Sequence, residues 1–92
     1  MAYHLVMNEK ADDDLEFLRK NTKSDYQKCF DLIRSILKNP KNGIGKPEPL
    51  KGYADQQAYS RRINDKDRIV YFIDEDNMVI TIYSCRGHYG DK

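Results

Sequence analysis

YSRRINDKDRIVYFIDEDNMVITIYSC, residues 59–85, contains three β-forming runs separated by two short polar connectors. The runs are Tyr59 to Asn64, Arg68 to Asp74 and Met78 to Cys85, rich in branched and aromatic side chains that suit a pleated surface. Asn64-Asp65-Lys66-Asp67 joins the first pair and Glu75-Asp76-Asn77 the second. Connectors this short imply antiparallel hairpins. Alternate residues of a strand share a face, so Arg68, Val70 and Phe72 oppose Ile69, Tyr71 and Ile73. An antiparallel sheet can bury one such face and leave the other open.

Upstream, residues 40–52 carry only loop signals: Asn-Gly, Gly-Lys-Pro, Pro-Glu-Pro and Lys-Gly. Before them, Tyr26, Phe30, Ile33 and Leu37 recur at helical spacing, with Cys29 and Ile36 beside them. Ser24 followed by Gln27 reads as a capping box, predicting a helix over about residues 24–39 that stops ahead of Pro40. An earlier helix starts at an Asn8 cap, repeats Ala11, Leu15 and Leu18, and ends at Asn21-Thr22. Tyr3 to Met7 reads as a short strand. The expected fold is α+β in the order β-α-α-β-β-β, an antiparallel sheet with two helices packed on one face.

A chain of 92 residues makes one domain, spanning 1–92. No stretch approaches the ~20 apolar residues that span a bilayer. Residues 1–10 hold no apolar run of the signal-peptide kind, so a soluble, cytoplasmic protein is expected. Cys29 and Cys85 are too few for a disulfide framework and read as small core hydrophobes.

The net charge is only +1, which argues mildly against a general nucleic-acid binder, but the charges are unevenly spread. Acidic residues group at Asp12 to Asp14 and Asp74 to Asp76, and basic ones at Lys46, Lys51, Arg61, Arg62, Arg68 and Arg86. Convergence of the basic set would make a local anion site. Because Arg61 and Arg62 are adjacent in a strand, only one can face a given site.

Two further features carry chemistry. Pro47 and Pro49 flank Glu48 and stiffen Lys46 to Pro49 into an extended segment that projects a carboxylate. His88 lies just past the last predicted strand, and an imidazole gains or loses a proton near neutral pH. The distant cysteines and histidines offer no metal-ligand spacing, and no glycine-rich phosphate loop is present.

Gly45-Lys46-Pro47-Glu48-Pro49-Leu50-Lys51 resembles the signature loop of the Txe/YoeB family in the RelE toxin superfamily. So do Tyr59-Ser60-Arg61-Arg62-Ile63 with Arg68-Ile69-Val70-Tyr71, and the closing Cys85-Arg86-Gly87-His88-Tyr89. The blocks occur in the family's order and spacing. The N-terminal half is similar only in pattern. Three departures stand out: Tyr59 replaces a Trp, Gly87 replaces an aromatic found in some members, and Gly90-Asp91-Lys92 extends past the usual terminal Tyr.

The resemblance implies a microbial-RNase-like fold and an endoribonuclease that cuts messenger RNA in the ribosomal A site. It implies a Phd/YefM-type antitoxin partner, a toxin dimer in a larger complex, and no cofactor or metal. It places Glu48 as general base, Arg68 as the phosphate-stabilising arginine, His88 as general acid and Tyr89 as an orienting or stacking aromatic. Lys46, Lys51, Arg61 or Arg62, and Arg86 would bind flanking phosphates. Two other readings compete: a ParE-like gyrase poison of the same superfamily, and a binding module that holds RNA or an acidic partner without cutting. One fold hosts several functions, so the site must decide.

Overall fold

The computed structural model describes residues 3–52 and 57–87. The elements run β1 (His4–Met7), α1 (Glu9–Asn21), α2 (Lys23–Lys38), β2 (Glu48–Leu50), β3 (Gln57–Arg62), β4 (Arg68–Asp74) and β5 (Val79–Ser84). They form one sheet in the order β1-β5-β4-β3-β2, with the helices over one face.

Each helix buries a stripe. In α1, Ala11, Asp14 and Leu18 face inward, and the Asn8 side chain caps its start by accepting from the Ala11 N–H at 2.9 Å. In α2 the buried residues are Cys29, Leu32, Ile33 and Ile36. The stripe therefore centres one residue away from the expected line, and Phe30 stays 39% exposed, its ring edge-on to Tyr26. The capping box does not form. α2 starts at Lys23, capped by Thr22 without a side-chain hydrogen bond, because only that residue separates it from α1.

Tyr59, Ile69, Tyr71, Ile73, Ile80 and Ile82 meet the helices, joined by Leu5 and Met7 from β1. The α+β class, the helix pair and the antiparallel β3-β4-β5 unit match the expectation. The sheet as a whole is mixed rather than antiparallel: β1 runs parallel to β5, His4 opposite Val79. The long helical connection lets β1 lie alongside the last strand in the same direction, as parallel neighbours require. A second difference is β2, a three-residue strand inside the expected loop, pairing antiparallel with β3. No helix among the described residues is long and apolar enough to cross a membrane.

Candidate active site

The open face of the sheet carries the site. Glu48 lies opposite Ser60 across β2 and β3, and Arg68 lies opposite Arg62 across β3 and β4. Arg68 Nη1 donates to Glu48 Oε1 at 3.2 Å, although 20 residues separate them in sequence. The carboxylate is 59% exposed and the guanidinium 19%. A proton acceptor thus sits beside an anion-binding group where a ligand can reach both. The β4–β5 register shifts between Val70 and Tyr71, next to this site, and such bulges re-aim side chains.

A tight loop delivers Glu48. Gly45 (φ 83°) and Lys46 (φ 52°) both adopt left-handed backbone before the Pro47 turn into β2. Arg62 N–H donates to the Gly45 carbonyl at 2.6 Å, fastening this loop to the end of β3.

Arg61 has a different task from the phosphate binding expected of it. It is fully buried, on the helix side of the sheet. Its Nε donates to Tyr71 Oη at 3.1 Å. Nη1 donates to Ser35 Oγ at 2.7 Å and the Ile44 carbonyl at 3.1 Å. Nη2 donates to the carbonyls of Asn39 at 2.6 Å and Asn42 at 3.0 Å. Every guanidinium N–H is thereby engaged. Apart from Tyr71, the acceptors lie at and beyond the C-terminal end of α2, where the helix dipole favours a cation. Tyr71 Oη in turn donates to the Pro40 carbonyl at 2.6 Å. Burial pushes the Tyr71 phenol above its ordinary range, partly offset by the Arg61 hydrogen bond. Arg61 therefore organises residues 39–44, the loop that leads to Glu48, and leaves the phosphate-contacting set. Arg62, its neighbour, is exposed and on the Glu48 face.

The C-terminal segment is tied to the start of β4. Arg68 N–H donates to the Gly87 carbonyl at 3.2 Å, and Gly87 N–H donates to Asp67 Oδ1 at 2.9 Å. Asp67 is held by Asn64, whose Oδ1 accepts from the N–H groups of Lys66 and Asp67 at 2.7 Å each. Sequence reasoning missed Asp67, although its place at the connector between two strands is where an Asx side chain commonly acts. His88 and Tyr89 lie outside the described residues. Arg86 is engaged with α1: its guanidinium stacks 3.6 Å from the Phe17 ring centroid. Lys46 and Lys51 are exposed on either side of Glu48 in the chain.

Beneath the Glu48–Arg68 pair, Ser60 is 1% exposed, and its Oγ has no hydrogen-bond partner. It is the one buried side-chain polar atom so placed among the described residues.

Comparison with known proteins finds similar sequences and similar folds. The profile of the family described as "YoeB-like toxin of bacterial type II toxin-antitoxin system" matches residues 7–89. Toxin YoeB of Synechocystis sp. is 40% identical over 86 residues, covering 92% of this chain and 95% of that one. The solved YoeB/ParE toxin from Agrobacterium tumefaciens superposes with a TM-score of 0.84 at 38% identity, covering 94% of this chain and 99% of that one. The YoeB toxin in a YoeB–YefM heterotetramer from Staphylococcus aureus gives a TM-score of 0.78 at 38% identity, covering 95% and 98%.

Proposed function

The chain belongs to the YoeB-like toxins of bacterial type II toxin–antitoxin systems, and from that membership we propose that it is a metal-independent endoribonuclease cutting messenger RNA in the ribosomal A site. The observation that carries the reading is the Arg68–Glu48 contact on the open face, beside the Gly87 anchor from which the chain continues to His88.

In the proposed reaction, Glu48 takes the proton from a ribose 2′-OH, a group that RNA has and DNA lacks. The freed oxygen bonds to the adjacent phosphorus, the bond to the 5′-oxygen breaks, and His88 gives that oxygen a proton. The products are a 2′,3′-cyclic phosphate, or its hydrolysed 3′-phosphate, and a 5′-OH. Arg68 turns from Glu48 to the phosphate as charge builds there. Each proton transfer contributes typically ~10²–10⁴-fold, and loss of the electrostatic contact typically costs ~3 kcal/mol. Arg62, Lys46 and Lys51 hold flanking phosphates, and Tyr89 orients the substrate or stacks on a base. Arg86 acts through its stacking on Phe17 unless RNA draws it away.

The YoeB–YefM complex and the YoeB dimer solved from Staphylococcus aureus support a YefM-type antitoxin and a toxin homodimer as partners here. We place the protein in the cytoplasm, where a nuclease acting on ribosomes would have to work.

The test is incubation of the purified toxin with ribosomes stalled on a defined message, read by primer extension. Discrete A-site cuts that persist when transition metals are chelated with magnesium held constant, and that vanish with Glu48→Ala, Arg68→Ala or His88→Ala, are expected. Inhibition of gyrase supercoiling without cuts would instead make the protein a gyrase poison. Salt-sensitive RNA retention without cuts would make it a binding module.

A further inference from the structure

Ser60 offers a hydroxyl that the fold does not use. Its neighbours fix the direction in which it points. Tyr59 stacks with Tyr71, and Arg61 reaches Ser35 of α2, so both lie on the helix side. Strand alternation then turns Ser60 to the opposite face, where it stands opposite Glu48 on one side and Val70 on the other. Arg68 lies on that same face, two residues along β4 from Val70.

A buried hydroxyl without an acceptor is unfavourable, whereas an alanine of nearly the same size would fill the space without that cost. The hydroxyl is too deeply covered for a substrate to touch it directly. Directly opposing residues on one face of an antiparallel pair bring their side chains within reach of each other, so the acceptor available to Ser60 is the Glu48 carboxylate. In the free protein that carboxylate is held by Arg68. Once Arg68 turns to a phosphate, the carboxylate loses its donor and gains freedom to rotate.

We infer that Ser60 is a positioning residue, whose hydroxyl donates to the Glu48 carboxylate when substrate draws Arg68 away and so fixes the base toward the 2′-OH. This rests on the proposed nuclease reading. Ser60 and Arg68 then hold Glu48 in turn: Arg68 in the free state, Ser60 in the loaded one.

The experiment compares wild type, Ser60→Ala, Ser60→Thr and Glu48→Ala for cleavage on stalled ribosomes and for urea unfolding. Ser60→Ala should lower the rate at saturating ribosome complex by about tenfold or more, since hydrogen bonds to charged groups are the stronger ones. Its half-saturating concentration should stay within about twofold of wild type. Its urea midpoint should hold or rise, because an unpaired buried hydroxyl has been removed. Ser60→Thr, which keeps the hydroxyl, should recover most of the rate. A Ser60→Ala protein that cuts at the wild-type rate, or that loses activity only together with its urea midpoint, overturns the inference. If wild type cuts and Glu48→Ala does not, that failure is confined to Ser60. If wild type makes no cuts at all, the nuclease reading falls and the inference with it.

Discussion

Two adjacent arginines show how much a single position along a strand decides. Arg61 is enclosed and donates to one hydroxyl on α2, one phenol and three loop carbonyls. Replacing it with alanine leaves those acceptors buried and unpaired, so Arg61→Ala should lose about 3 kcal/mol or more of unfolding free energy. Arg61→Lys should fare little better, because an ammonium has three donors and no planar fork. Arg62→Ala, at an exposed position, should stay within about 0.5 kcal/mol of wild type. In exchange it should weaken RNA binding and flatten the salt dependence by about one unit of slope. Urea titration and filter binding over a salt series check both, and the reverse assignment of effects would contradict the burial. Glu48 is separable from stability in the same way. On its own side the contact with Arg68 is open to solvent, and pairs screened in this way contribute about 0–1 kcal/mol. Glu48→Gln should therefore keep the urea midpoint nearly unchanged while cleavage falls by about a hundredfold or more.

At the scale of elements, the site depends on how the loop from α2 reaches β2. Gly45 holds φ at 83°, and a Cβ there would stand 2.6 Å from Leu32 Cδ2 and 3.3 Å from the Arg62 carbonyl oxygen. Gly45→Ala should cost about 1–3 kcal/mol by urea unfolding, from left-handed backbone and overpacking together. It should also slow cleavage, because the same loop sets the entry of Glu48 into β2. A variant as stable and active as wild type would mean the loop is free to shift. The elements legible in the sequence are those that local pattern determines: the helical repeats Ala11-Leu15-Leu18 and Ile33-Leu37, and the β3-β4-β5 runs with their short connectors. Less legible is whatever depends on a distant partner. Nothing local in His4 to Met7 says that β1 will lie parallel to β5, and Pro47-Glu48-Pro49 reads as stiff loop until β3 is beside it. Alternation separates Arg61 from Arg62, but which one is buried depends on carbonyls brought over by the end of α2. Ser60 escaped notice because only burial reveals that its hydroxyl is unpaired.

Across the whole molecule, packing of the helix layer against the sheet holds two buried groups, Cys85 and Tyr71, above their ordinary titration range. Cys29 on α2 and Cys85 just past β5 are both fully buried, and Cys85 N–H donates to the buried carboxylate of Asp14 on α1 at 3.0 Å. The hydrogen bond to Cys29 and burial together push the Cys85 thiol well above its ordinary range. Burial pushes the Tyr71 phenol in the same direction. Both groups are neutral when protonated, and both release protons more readily once the chain unfolds. The unfolded state therefore binds fewer protons than the folded one above about pH 8.5, where a free thiol titrates. Stability from this source is complete below that pH and declines as pH rises, by up to ~1.4 kcal/mol per pH unit for each such group, with Tyr71 joining above about pH 10. Urea unfolding at about pH 7.5 and about pH 9.5 should show the decline, and Cys85→Ala should make it shallower even though that variant starts less stable. Both thiols are buried, and formation of the Cys85 thiolate inside the fold is suppressed, so iodoacetamide should label the native protein only as fast as it opens. Labelling of folded protein at the rate of free cysteine, or a stability that holds level through the alkaline range, would mean that the helices and β5 do not enclose this pair as described.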